Sequence, residues 1–175
     1  MKNRTIYALL GVALITLLIL YKHLGGFKKI EVLEISGEGA YRLEISGRNY
    51  EGKMGSPAWK NLFIEMRDSI GHGKLEEPIT IIYLRPLDRG KTIEAFIGAV
   101  RKPGQQLPAG FTEKSVTRKG VLRVNLSMHP VVMPSPELVR KRIRVYARIH
   151  RLVLDSLMIE KYHPDNSLTV EIPYL

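Results

Sequence analysis

The chain has no cysteine and one tryptophan among its 175 residues. Without thiols there is no disulfide scaffold, no thiolate metal site and no cysteine nucleophile. The same absence leaves the compartment open, since a thiol-free chain suits either side of a membrane. Acidic residues are in deficit, 17 against 27 Lys and Arg, so the formal charge is +10. A helical metal pair is missing too: Glu160 and His163 stand three apart but run into Pro164. Gly71-His72-Gly73-Lys74 lacks the spacing and the following helix of a phosphate loop. Serine, histidine and acid residues show no triad spacing. No metal and no cofactor is therefore expected. No nucleic-acid module is present, and general basicity alone does not make one, so no nucleic-acid partner is expected. Hydrophobic residues are 45% and charged residues 25%, which excludes wholesale disorder. The length suits one domain with a core of its own, plus an appendage.

Charge is missing altogether from Thr5 to Tyr21. As a helix this run rises about 25 Å, against about 30 Å of hydrocarbon core. Arg4 and Lys22 at its ends can snorkel to close the gap. Tyr7 and Tyr21 fall where amphipathic rings favour the interface. A cleaved signal peptide is the rival reading. Its apolar stretch is shorter and ends in a small-x-small site, which Tyr21-Lys22-His23-Leu24 is not. A soluble core helix would carry a polar face. Residues 1–27 are thus expected to be a single-pass anchor and short linker, with the bilayer as partner of residues 5–21. Lys22, Lys28 and Lys29 outnumber Lys2 and Arg4, which places the C-terminal domain on the cytoplasmic side.

Residues 28–175 read as one domain in two similar halves, about 28–101 and 107–175. Alternation marks strands at Ile30–Ile35 and Tyr41–Ile45. Ser56-Pro57 starts a helix, with serine as cap and proline at its first position. Trp59, Leu62, Phe63, Met66 and Ile70 give that helix an apolar face, and Gly71-His72-Gly73 ends it. Strands follow at Ile79–Leu84 and Ile93–Val100, around a turn at Leu87-Asp88-Arg89-Gly90. Phe111–Val116 and Gly120–Leu126 open the second half. Met133-Pro134-Ser135-Pro136 echoes Met54-Gly55-Ser56-Pro57, and a long helix over about 137–157 comes next. Leu168–Ile172 echoes Ile79–Tyr83. The repeat predicts two helices on one face of a shared antiparallel sheet and a cleft between the halves on the other.

The Ser56-Pro57 helix start, Gly98 within Phe96–Val100, Leu107-Pro108-Ala109-Gly110 and the closing Val170-Glu171-Ile172-Pro173-Tyr174 carry a family resemblance. In this order they resemble the GyrI-like small-molecule-binding superfamily, also called the bacterial transcription activator effector-binding domain, over residues 30–175. With the apolar leader, the stretch Arg148–Asp155 and Glu171 are similar to a membrane-anchored branch that contains the testis-expressed ER-phagy receptor. That receptor's autophagy role depends on a disordered tail motif and is not carried over. The resemblance implies an α+β fold of two β-α-β-β repeats behind the transmembrane helix, with a central cleft. It also implies binding of a small cationic or aromatic molecule. A carboxylate on the last strand lies in the cleft of soluble members, and Glu171 matches it.

On its own chemistry Glu171 stands between Val170 and Ile172, facing solvent or buried with a partner. Tyr174 falls one residue later than the family's Glu-x-Tyr spacing. Alternation then puts it on the face opposite Glu171 unless Pro173 makes a bulge. Tyr83 and Tyr41 are the candidate aromatic lining, and Trp59 belongs to the core. In the long helix, Leu138, Val145, Ile149, Leu152 and Val153 are expected to face the sheet. Arg140, Lys141, Arg144, Arg148 and Arg151 then form either a solvated face or a contact with anionic lipid headgroups. The leading expectation is a membrane-anchored, non-enzymatic binding domain. In it, Glu171→Gln weakens ligand binding and leaves the domain folded. Two alternatives stay open: a hydrolase of small electrophiles using Glu171 as general base, and a membrane-surface adaptor for a protein partner.

Overall fold

A computed structural model describes residues 2–85 and 92–175, apart from the side chains of residues 2–5, 8 and 38–40. The turn expected at 87–90 lies outside them. Helix α1 spans Lys2–His23, and β1 is one long strand, Leu33–Gly52. Helix α2 (Pro57–Gly71), β2 (Leu75–Tyr83) and β3 (Ile93–Arg101) complete the first half. Strand β4 (Thr112–Leu126), α3 (Pro136–Ile149), β5 (Met158–Tyr162) and β6 (Leu168–Tyr174) repeat that order. The six strands are antiparallel and close on themselves in the order β1-β3-β2-β5-β6-β4.

Both helices start as the sequence dictates. Ser56 accepts from the Trp59 amide and Ser135 from the Leu138 amide, each followed by proline. Both also end alike. After α2, Gly73 takes φ +70°, and the Lys74 amide reaches back to the Ser69 carbonyl at 3.0 Å. After α3 the same turn is made by Arg151 at φ 56°, with Leu152 donating to the Ala147 carbonyl at 2.9 Å. Arginine there carries no glycine signal, so α3 stops well short of the expected residue 157. The chain then forms β5, a strand the sequence pattern does not announce.

The repeat also differs in register from the expectation. Strand β5 pairs with β2, and Ile81 stands opposite Glu160. These two are 79 residues apart, as are Ser56 and Ser135. The local twofold axis therefore passes through that pair. The counterpart of Ile79–Tyr83 is Met158–Tyr162, not Leu168–Ile172.

The sheet has two packed faces. On one, Trp59 and Met66 of α2 and Val139, Ile143 and Ala147 of α3 cover Ile81, Ile97, Leu122, Val124 and Ile172. On the other, Leu43, Ile45, Ile82, Phe96, Val116 and Ile159 pack together, with Tyr41 against them. The expected open cleft is thus filled on this second face by apolar side chains. The sheet-facing stripe of α3 is Val139, Ile143 and Ala147, at i, i+4 and i+8. Leu138, Val145, Ile149 and Val153, expected to face inward, are exposed.

The expected spanning helix is not met: among the described residues no helix is long and apolar enough to cross a membrane. Helix α1 is 22 residues long, Lys2–His23. Its apolar side chains are nonetheless exposed all round. The Leu24 carbonyl accepts from the His129 amide at 3.1 Å, and Lys28 Nζ donates to the Ser127 carbonyl, tying the linker to the end of β4.

Candidate functional site: two buried carboxylates back to back

Strands β5 and β6 each bury one carboxylate, on opposite faces of the sheet. Glu171 of β6 is 0% exposed. Its neighbours Val170 and Ile172 point to the helices, so alternation turns Glu171 to the opposite face. Strand β4 sets Arg123 directly across from it, and β5 brings Lys161 two residues beyond its partner Ile159. Arg123 Nε and a terminal nitrogen donate to Oε1 at 2.7 and 2.6 Å. Lys161 Nζ lies 2.9 Å from Oε2, and the Tyr41 hydroxyl also donates to Oε2. The Lys161 ammonium stands 5.9 Å from the centre of the Tyr41 ring.

Burial alone pushes the Glu171 carboxyl up. The charge and hydrogen bond of Lys161, the Tyr41 hydroxyl and the Arg123 charge outweigh it and hold the carboxyl below its ordinary range. Burial, then the charge of Glu171, raises the Tyr41 hydroxyl. The solvent-facing reading of Glu171 is therefore replaced by a buried anion with two cations and a hydroxyl around it.

The counterpart of this pair in the first half is bare backbone. Arg123 pairs with Glu171 where the other half pairs Gly47 with Gly98. Ile159 likewise faces Glu171 where Thr80 faces Gly98. The charged pair of β4 and β6 thus has glycines at the corresponding register positions of β1 and β3. Gly98, noted above for its place in the family pattern, occupies the position in β3 that corresponds to Glu171 in β6.

Tyr83 does not join this site. It lies on the helix-bearing face with a second carboxylate, Glu160, which is 4% exposed. Tyr83 and Tyr162 both donate to Glu160 Oε2, at 2.9 and 2.7 Å. The two tyrosines are 79 residues apart, symmetry mates flanking the axis on which Glu160 stands. Phe63 of α2 closes on Tyr162 at 5.8 Å, edge to face. Burial raises the Glu160 carboxyl, and the two hydroxyls and the charge of Arg140 only partly offset it. Both hydroxyls are raised in turn, by burial first and then by the charge of Glu160. From sequence, Glu160 was weighed only as a helical metal ligand with His163, because no strand was expected at 158–162. The available signal was the repeat itself, which aligns Tyr83 with Tyr162.

The sign of the Glu160 shift gives a testable result. An acid whose folded pKa is raised stabilises most below its unfolded value, about 4.3. It loses that contribution as pH rises through the folded value. Glutamine keeps a carbonyl for both tyrosines and has no charge to bury. Glu160→Gln is expected to gain stability relative to the parent as pH climbs from 4 to 8, by about 1 kcal/mol or more. Urea melts across that range check it. An unchanged difference would mean that the carboxyl titrates alike in both states.

Of the basic residues on α3, Lys141, Arg144 and Arg148 are exposed, as is Arg151 just past its end, and Arg140 is half-buried near Glu160. Among the described residues no cluster of His, Cys, Asp and Glu could hold a metal ion.

No protein-family model and no curated protein matches the chain. Solved structures are similar to it in varying degree. A hydrolase from Listeria innocua is similar at 8% identity and a TM-score of 0.54, over 85% of this chain and 92% of that one. An integron cassette protein from Vibrio cholerae is similar at 12% identity and 0.49, over 85% and 97%. SAV2435, in a structure bound to tetraphenylphosphonium, is similar at 12% identity and 0.47, over 85% and 94%. At such identities a likeness speaks for architecture only. Of these three, the Listeria protein alone exceeds 0.5.

Proposed function

We propose that the chain is a GyrI-like small-molecule-binding domain, not an enzyme, whose ligand is an organic cation received at Glu171. The observation that carries this is the seat of Lys161. A buried carboxylate 2.9 Å from an ammonium, with an aromatic ring 5.9 Å from the same nitrogen, has the makings of a cation receptor. Here the chain's own lysine fills it. Arg123 keeps the other carboxylate oxygen, so a guest enters by taking the place of Lys161 beside Tyr41. The hydrolase alternative is weaker on the same geometry. Both oxygens of Glu171 are engaged and its proton affinity is lowered, which is the wrong direction for a general base at neutral pH.

Removing the internal competitor tests the reading. Lys161→Met keeps the stem and deletes the charge. Calorimetric titration with benzyltrimethylammonium is expected to show binding at least about tenfold tighter than in the parent, a gain of about 1.4 kcal/mol. Adding Glu171→Gln to that variant is expected to abolish it. A folded Lys161→Met protein that takes up no cation sinks the proposal.

The same proposal attaches the domain to a lipid surface through α1, with the cytoplasmic side as its place. The uncharged run from Thr5 to Tyr21 supports attachment, because exposed apolar residues all round a helix need cover that water does not give. Lys22, Lys28 and Lys29 on the domain side support the orientation. The adaptor alternative shares this attachment, and no observed contact favours it over a small ligand.

A further inference from the structure

The outward face of α3 is apolar at its crest. At about 100° per residue, Val139, Ile143 and Ala147 form the buried stripe. Leu138, Val145 and Ile149 fall within about 40° of one another, centred about 140° round the helix from it. They are 45%, 45% and 71% exposed. Lys141 and Arg148 lie on one side of this crest and Arg142 on the other, all exposed. A solvated helix puts its charges at the crest and confines its apolar residues to the buried side. Here two separate apolar stripes, centred about 140° apart, run along one helix, with cations between them.

We infer that the outer stripe of α3 inserts into an anionic bilayer surface, with Lys141, Arg142 and Arg148 on its phosphates. Charge complementarity selects this occupant. A second copy of the chain would set these cations against their own mates. A nucleic acid would press phosphates onto Leu138, Val145 and Ile149, while the cations stood aside. An acidic lipid surface accommodates both: apolar side chains reach the acyl boundary and the longer cationic ones reach the headgroups. The inference extends the membrane reading of α1 and rests on it for delivery to the surface. It makes α3 a second contact that depends on lipid charge, where α1 depends on burial alone.

The chain's lack of cysteine gives a clean test. The full chain carrying Val145→Cys, and a control carrying Lys102→Cys on the loop after β3, are labelled with an environment-sensitive fluorophore. Each is mixed with vesicles of phosphatidylcholine, or of phosphatidylcholine with phosphatidylserine. Expected at Val145 is a blue shift and quenching by acyl-chain bromine in phosphatidylserine vesicles only, reversed by high salt. Expected at Lys102 is no change. Flotation of the chain reads α1 separately. Chain that floats with both vesicles while the Val145 probe stays water-like overturns the α3 contact and leaves α1 intact. Chain that floats only with phosphatidylserine, probe shifted, supports α3 and overturns α1. No flotation with either overturns both. A shift that grows with protein concentration in the absence of lipid also overturns the inference, by showing a second copy on the stripe.

Discussion

Gly98→Ala is expected to destabilise the folded domain strongly. A Cβ built on Gly98 falls 2.4 Å from the carbonyl oxygen of Ser46, and one on Gly47 falls 1.9 Å from that of Ile97. Both obstacles are backbone, in strands β1 and β3 that hydrogen-bond at this place. A flexible side chain could swing aside, but a paired strand inside a closed sheet cannot. Forcing one methyl into a tight core costs about 1–3 kcal/mol, and more where the surroundings are rigid. Whole domains hold only about 5–15 kcal/mol. The expected loss is therefore about 3 kcal/mol or more, seen as a lowered melting temperature by circular dichroism and faster tryptic cleavage. Gly71→Ala is the control: it ends α2, meets nothing within 4 Å, and is expected to stabilise by up to about 1 kcal/mol. A Gly98→Ala protein that melts like its parent would show that the two strands can part at no cost.

The glycine pair also shows what the sequence made legible. Its ordered set of elements was readable: two Ser-Pro helix starts 79 residues apart, apolar alternation in the long strands, and the α2 stop at Gly73. Pattern failed where one residue type did another's work. Arg151 ends α3 in a left-handed conformation that glycine would have advertised. Met158–Tyr162 holds an acid and a base in five residues, so its alternation is too brief to separate from a helix end. Ile79–Tyr83 was therefore matched by apolar likeness to Leu168–Ile172, although the 79-residue offset already pointed to Met158–Tyr162. The site inherited that slip. Tyr41 and Glu171 do meet, but Tyr83 belongs with Glu160 across the sheet. Arg123 and Lys161 were passed over because a cation in an alternating strand looks solvated until its pairing partner is known. Which face of α3 is buried was equally hidden. Valine, isoleucine and alanine make the inner stripe, and leucine, valine and isoleucine make the outer one.

Glu171→Gln, expected from sequence to spare the fold, is expected from the structure to weaken it. The amide leaves one buried acceptor oxygen for Arg123, Lys161 and Tyr41 together, and no negative charge for two cations. Breaking a buried ion pair by removing one partner costs about 3–5 kcal/mol, because the remaining charge stays uncompensated. Arg123 and Lys161 both retain some access to water. The loss is accordingly set near about 2–3 kcal/mol. Its pH dependence follows from the lowered Glu171 carboxyl. A depressed folded pKa contributes stability that is present in full above the unfolded value, about 4.3. That contribution is lost as pH falls through the folded value. The gap between parent and variant is thus widest near neutrality and closes in acid, the opposite course to Glu160→Gln. Replacing all three charges at once (Glu171→Gln, Arg123→Met, Lys161→Met) is expected to recover most of the loss, since no stranded cation remains. Urea melts of the three proteins at neutral and acid pH separate these outcomes. A Glu171→Gln protein as stable as its parent near neutrality would mean that the cations draw no support from the carboxylate. Lys161 would then not be occupying a receptor at all.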